Sequence, residues 1–388
     1  MVDFDVGVIL PAAGSGERLG GATPKQYCKI LGKPLFLYAL EAFEKISYVR
    51  HIVLVVDDPS NVEPFLQETN SHKVVVVQGE STRHRSIRAG LQALTKQECD
   101  MRVVIVHDAV RPVVPEDLVR QLVLAANENG AAGAVCRLVS TVISAETDGS
   151  LKTVLDRNAH LASETPQAFQ TDVLVSAYSK CTDKDLDCGT ECLQLALEYA
   201  GVHAQLVEGS PNDLWKVTIH RDMYTASECL RERSNSVCII AMQESYPAQL
   251  LAENLTSSVQ KVESVMKGNQ KDTDRLSGQR FNNFIFFHES QSDIENILLN
   301  FAPLFDLDTQ GLIIHVMEHK NADDLSGMSV YDMQSSGRRM SYEYQKLKKG
   351  VVMIHCLDNH TDSYQFLLLV TSLLKAHPLT MTGQNLFL

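Results

Sequence analysis

Short β-branched apolar runs alternate with amphipathic stretches of helical length from Val6 to roughly Glu208: VGVIL, then PLFLYALEAFEKI, then HIVLVVDD, a helix reaching Glu68, and KVVVVQ. Runs of strand length bounded by polar turns read as strands, and the longer amphipathic stretches between them read as helices. The series continues with a helix from Ser86 to Leu94, the strand RVVIVHDA, the helix PEDLVRQLVLAANE and the strand AAGAVCRL. This alternation predicts an α/β domain built on a mostly parallel sheet, its near-continuous apolar strands covered on both faces by helices. In such open sheets ligands sit outside the carboxyl ends of the strands, so the loops after Leu10, Gln78 and Val106 are expected to face one cleft.

A helix ending near Arg233 and the polar stretch RERSNS precede VCIIAM, which opens a second alternation. It comprises the strands FNNFIFF, GLIIHVME and GVVMIHCL, the polar segment 267–280 and a last helix around Tyr364 to Lys375. The boundary is placed near Asn235, giving domains 1–234 and 235–388, the second a smaller α/β unit. No internal repeat or low-complexity tract is visible.

A chain of 388 residues has room for two or three such units, and 44% hydrophobic with 21% charged residues is a globular composition. A net charge of −13 argues against nucleic acid or an acidic membrane surface as partner, while leaving space for a local basic pocket. The nine cysteines form no CxxC pair, and reduced structural thiols are expected. With no apolar run of about 18 residues and no basic leader, the expected address is the cytosol.

The chemistry concentrates in LPAAGSGERLGGATPKQY, Leu10 to Tyr27, directly after the first strand. Gly14 and Gly16 let the backbone approach a polyphosphate, and Arg18 and Lys25 add two cations. The segment is neither a Walker A loop nor a GxGxxG fingerprint, which counts against kinases and ordinary dehydrogenases. In GESTRHRSI (79–87), Ser86 is placed at a helix start, as a cap or a nucleotide ligand, with Arg83 and Arg85 nearby. His84 pairs with no nucleophile and reads as structural or exposed. In VHDAVRP (106–112), Asp108 suits substrate hydroxyls and Arg111 a phosphate, or the two form a helix-flanking ion pair. Lys216 in DLWKVT, taken alone, is an ordinary surface lysine.

Together with VLDRN (154–158) and ETPQAF (164–169), in this order, these segments resemble the cytidylyltransferases of the methylerythritol phosphate and ribitol phosphate type, over about residues 5–230. The resemblance implies a Rossmann-like nucleotidyltransferase domain with a protruding dimerisation arm at roughly 138–165. It implies catalytic roles for Arg18, Lys25 and Lys216 around the triphosphate. Ala12, Ala13, Gly14, Ser15, Gly16, Gly79, Arg83, Ser86 and Asp108 would hold the nucleotide, and Asp108, Arg111, Thr141, Arg157 and Thr165 the polyol phosphate. Arg157 would reach into the neighbouring subunit of a homodimer. Mg²⁺ is expected on the phosphates of CTP, with no protein metal site.

The stretch DCGTECLQLALEYAG departs from the T-D-E-A segment usual in bacterial members, leaving open whether Asp187 or Glu191 supplies the acid. This departure and the extra domain favour the animal ribitol phosphate branch, whose product CDP-ribitol serves dystroglycan glycosylation; 2-C-methyl-D-erythritol 4-phosphate is the alternative acceptor. Two further alternatives are a silent sugar-nucleotide-binding scaffold and a fused reductase. Tyr342 and Lys346 have the YxxxK spacing of short-chain dehydrogenases, but VCIIAM runs into QESYPAQ without a glycine for a dinucleotide. A degenerate domain serving folding, dimer support or partner contact is favoured over a working reductase.

Overall fold

In the computed structural model, which describes residues 1–14, 23–69, 72–97, 101–189, 191–267, 275–288, 294, 301–307, 309–319, 330–357 and 362–388, the chain divides into two compact units, Met1–Ala226 and Ser227–Leu388. The division falls inside the helix His220–Ser234, whereas the sequence boundary near Asn235 lies after it. Of the polar RERSNS stretch, Arg231 to Ser234 end that helix and Ser236 opens the first strand of the second unit.

Among the described residues of the first unit, seven strands form one sheet in the order Gln205–Glu208, Ala131–Arg137, Leu161–Gln170, Val103–Val106, Val6–Ala12, Val49–Val56, Val74–Gln78. Side chains on successive strand residues point to opposite faces, and the first strand shows it. Val8 and Leu10 pack in a core with Phe36, Leu40, Val119 and Leu122 from the helices Leu35–Glu44 and Glu116–Asn129. Ile9 packs in the other core with Ile87, Leu91, Leu174 and Ala177 from the helices Arg83–Thr95 and Thr171–Lys180. Helices on both faces explain why the strand runs are almost wholly apolar.

The chain steps outward from Val6–Ala12 to Val49–Val56 and Val74–Gln78, then returns to add Val103–Val106 on the opposite side. That reversal opens a crevice at the carboxyl ends of Val6–Ala12 and Val103–Val106. Leu161–Gln170 is antiparallel to both its neighbours, so the sheet is mixed. Before it, Ile143–Ala145 and Leu151–Val154 form a separate two-stranded hairpin. The arm expected over 138–165 is thus a hairpin followed by a strand whose first residues, Leu161 to Ser163, pair with Arg137 to Val135 and whose end, Gln167 onward, also pairs with Val103–Val106.

In the second unit six described strands are all parallel, in the order Lys261–Met266, Ser236–Ala241, Asn283–His288, Gly311–His319, Lys349–Leu357, Gln384–Phe387. The helices Tyr246–Leu255 and Ser363–Lys375 cover one face through Leu251, Leu255, Phe366 and Val370. The helix Val330–Gln345 contributes Tyr344 to the other, against Phe284, Phe286 and Ile313. Tyr342 on this helix is 67% exposed, and Lys346 pairs with Glu343 at 3.0 Å while its ammonium lies 4.7 Å from the Tyr342 ring centre. The YxxxK pair therefore sits on an exposed surface.

Candidate active site

A cleft of about 510 Å³ opens at the predicted crevice, with walls from the ends of three strands: Ala12 to Gly14, Glu80 to Arg83, and Asp108 with Val110. Ser86, Lys25 and Lys216 complete it. The three loops expected to converge do so. Ser15, Gly16 and Arg18 lie outside the described residues.

Beyond the glycine loop, Lys25–Tyr27 forms a single 3₁₀ turn. Gln26 is buried at its centre, and its amide donates to the Gly14 carbonyl at 2.9 Å, pinning the loop's first arm. The same turn lifts Lys25 so that its ammonium donates to the Val217 carbonyl at 3.1 Å. Val217 is held in turn by its N–H on the Val110 carbonyl. PKQ and WKVT, far apart in the chain, thus meet at one corner of the cleft.

Gly79 explains how closely the loops approach. A Cβ there would lie 2.4 Å from the Ala13 Cβ and 3.0 Å from the Ser86 Oγ, so a methyl group would drive the loops apart. Thr82, not Ser86, caps the helix Arg83–Thr95, accepting the Arg85 N–H at 3.3 Å. Ser86 sits one turn inside, accepts the Glu80 N–H at 3.0 Å and donates to the Glu80 carbonyl at 3.2 Å, which fixes the loop across the cleft wall. His84 is wholly buried against the Tyr178 hydroxyl at 2.8 Å. Arg85 points away to Asp183 and Asp187.

Asp108 is the electrostatic centre. Its Oδ1 accepts from Arg83 at 2.9 Å, and its Oδ2 from Lys216 at 2.9 Å and Arg111 at 3.3 Å. Burial alone would raise this carboxyl, but Arg83, Lys216 and Arg111 outweigh it and hold the group well below the ordinary carboxylate range. One buried anion thus gathers three cations, two of which, Arg83 and Lys216, line the cleft with Lys25. Such a surplus of fixed positive charge binds a polyanion and stabilises charge that develops on it.

Arg111 is 7% exposed and stands behind Asp108, also donating to Glu164 and to the Leu214 carbonyl. Thr165 is buried, its hydroxyl accepting the Asp108 N–H at 3.2 Å. Thr141 and Arg157 are exposed on the arm, where the Arg157 guanidinium donates to the Val139 carbonyl at 2.6 Å. Of the two acids left open, Asp187 engages Arg85 at 2.6 Å, whereas Glu191 accepts from Gln167 at 2.7 Å and Ser163 at 2.6 Å beside the strand of Thr165. Gln26, Thr82 and Glu164 escaped the sequence reading because each acts on a main-chain group or residue remote in sequence.

The family described as IspD, 2-C-methyl-D-erythritol 4-phosphate cytidylyltransferase, matches residues 6–232, the span that builds this cleft. The chain belongs to the IspD family. A D-ribitol-5-phosphate cytidylyltransferase of Rattus norvegicus is 44% identical over 91% of this chain and 74% of its own length, so its similarity runs on past the family segment into the second unit. A protein of the same description from Xenopus tropicalis is 48% identical over 64% of this chain and 63% of its own. The chain thus spans under two thirds of that relative. Among solved structures, 4-diphosphocytidyl-2C-methyl-D-erythritol synthase of Anaerococcus prevotii shares the fold, with a TM-score of 0.51 at 23% identity over 59% of this chain and 96% of that one. Among the described residues, no helix is long and apolar enough to cross a membrane.

Proposed function

We propose that this IspD-family chain transfers the cytidylyl group of CTP to D-ribitol 5-phosphate, giving CDP-ribitol and pyrophosphate. The observation that carries the transfer is the gathering of Lys25, Arg83 and Lys216 on one cleft at the carboxyl ends of the strands, around the buried Asp108. The choice of acceptor is supported by the rat relative, whose similarity covers both units.

In this reading the acceptor phosphate, with a second pKa near 6, is a dianion that attacks the α-phosphorus without a general base. The bond formed joins its oxygen to that phosphorus, and the bond broken releases pyrophosphate. The protein contributes alignment and positive charge. Lys25 and Lys216 stabilise the charge spread over the phosphoryl oxygens, together with Arg18. Ser86 and Gly79 keep the loops at the spacing a nucleotide requires, and Asp108 orients the acceptor hydroxyls.

Mg²⁺ accompanying CTP would supply further charge neutralisation. Asp108 is already shared by three cations, and among the described residues no group of three or more His, Cys, Asp or Glu could hold a metal ion. The acceptor phosphate would be completed by Thr141 and Arg157 from a second copy, since both project on the arm. Service to dystroglycan glycosylation in the cytosol belongs to the same proposal.

The test is pyrophosphate release by purified protein with CTP and Mg²⁺, in parallel with ribitol 5-phosphate and 2-C-methyl-D-erythritol 4-phosphate. Release that depends on ribitol 5-phosphate is expected. Preference for the methylerythritol acceptor refutes the acceptor, and no release with either refutes the transfer.

A further inference from the structure

His107 is fully buried beneath the turn that carries Asp108 and Arg111, and the sequence reading assigned it nothing. Its ring meets Phe43 edge-on, with centroids 5.4 Å apart. Both ring nitrogens are engaged: Nε2 lies 3.1 Å from the Arg111 carbonyl oxygen and Nδ1 3.2 Å from the Thr165 hydroxyl. A carbonyl oxygen only accepts, so Nε2 carries a proton; burial keeps the ring neutral, so Nδ1 is the acceptor and the Thr165 hydroxyl donates to it. The same hydroxyl oxygen accepts the Asp108 N–H. Directed bonds therefore run from the Asp108 amide through Thr165 and His107 to the Arg111 carbonyl, closing a turn already tied by the Arg111 N–H on the Asp108 carbonyl at 2.9 Å.

We infer that His107 is a positioning residue for the acceptor half of the cleft. By bridging the Arg111 carbonyl to the Thr165 hydroxyl, it fixes the turn from which Asp108 presents its carboxylate. It also leaves Thr165 a lone pair, but no proton, for the bound acceptor. Thr165 then accepts from a hydroxyl of a polyol and cannot donate to a phosphate oxygen.

The inference rests on the proposed transfer to a polyol phosphate, so turnover of the unaltered enzyme with ribitol 5-phosphate is measured first and tests that reading alone. His107→Phe keeps a planar ring against Phe43 and removes both hydrogen bonds. It is expected to raise the KM for ribitol 5-phosphate about tenfold, the scale of one lost hydrogen bond, with the KM for CTP unchanged. His107→Gln, whose amide can again donate to the Arg111 carbonyl, should recover part of that loss. If His107→Phe does not fold, His107→Gln carries the test alone, with a smaller but still acceptor-selective rise in KM expected.

Equal rises for both substrates, or an unchanged acceptor KM, overturn the inference. If the unaltered enzyme turns over neither acceptor, the transfer reading fails and the bond chain is tested by ¹⁵N NMR instead. A neutral Nε2–H imidazole at about pH 6 sustains it, and an Nδ1–H or charged ring overturns it.

Discussion

Lys216 Nζ lies 2.9 Å from Asp108 Oδ2, joining the last motif of the family segment to the turn after its fourth strand. The carboxylate is shared with Arg83 and Arg111, so one charged, buried group is common to all three cations. Asp108→Asn keeps the shape and removes that charge. Breaking a buried ion pair from one side costs about 3 kcal/mol or more, because it leaves uncompensated charge. A loss of that size is expected in urea unfolding, together with a rise in acceptor KM; a variant as stable as the parent would refute the role of Asp108 as counter-ion.

Lys25 follows the glycine loop and donates to the Val217 carbonyl, lining the same cleft as Ser86. Its side chain lines the cleft together with Arg83 and Lys216. Lys25→Ala should lower turnover about 10²- to 10³-fold, the scale for one preorganised group facing developing charge. Single-turnover measurement with saturating CTP reads this directly. Because Lys25 is half-buried and Gln26 carries the packing of the turn, the thermal midpoint should move little.

Gly79→Ala places a methyl 2.4 Å from the Ala13 Cβ, and Ala13 cannot yield without moving the glycine loop. The expected result is weaker CTP binding by about tenfold or more with the fold retained, read by calorimetric titration of CTP. Affinity equal to the parent's would mean that the loop spacing does not limit nucleotide binding.

Much of this was legible in the sequence. The strand ends that form the cleft were, because Val8 to Leu10 and Val103 to Val106 are buried on both faces and leave no ambiguity of period. Lys25 and Lys216 were found by motif. What escaped is whatever depends on pairing between distant segments. The antiparallel insertion of Leu161–Gln170 has no local mark, since its sequence LASETPQAFQ lacks both an apolar run and a regular alternation, and its pairing with Val103–Val106 is set by tertiary packing. His107 escaped because a histidine next to an aspartate says nothing about which face it takes. Thr82 was passed over for Ser86, although either hydroxyl can cap and only the backbone conformation at Thr82 decides it.

Burial lowers His84, with the charge of Arg83 adding to it, and lowers His107; both fall from the ordinary 6.5 to about 4. As the pH falls through 6.5 the unfolded chain takes up these protons while the folded chain does not, until about 4. The unfolded state then binds more protons, so stability falls with falling pH across that window, by up to about 3 kcal/mol for each histidine. Urea midpoints measured from neutral pH downward should decline, and His84→Phe should flatten the slope. A midpoint that rises on acidification would contradict neutral, buried imidazoles.

The arm carries an apolar surface that the first unit does not cover: Val139 is 81% exposed, Leu151 62%, and Ile143 and Val154 57% each. Three large apolar side chains on one two-stranded hairpin, with Val139 just before it, are costly to leave in water, and an isolated hairpin is marginal by itself. In the proposed homodimer a second copy of the arm would cover it, with the self-complementarity a two-fold interface requires. It would also bring the exposed Thr141 and Arg157 to a neighbour's cleft. Leu151→Asp puts a charge in that contact and should shift the protein from dimer to monomer in sedimentation, with loss of turnover if Arg157 acts across the interface. A monomer that retains full turnover would assign the polyol phosphate pocket to one chain, and an unaltered dimer would place the interface away from the arm.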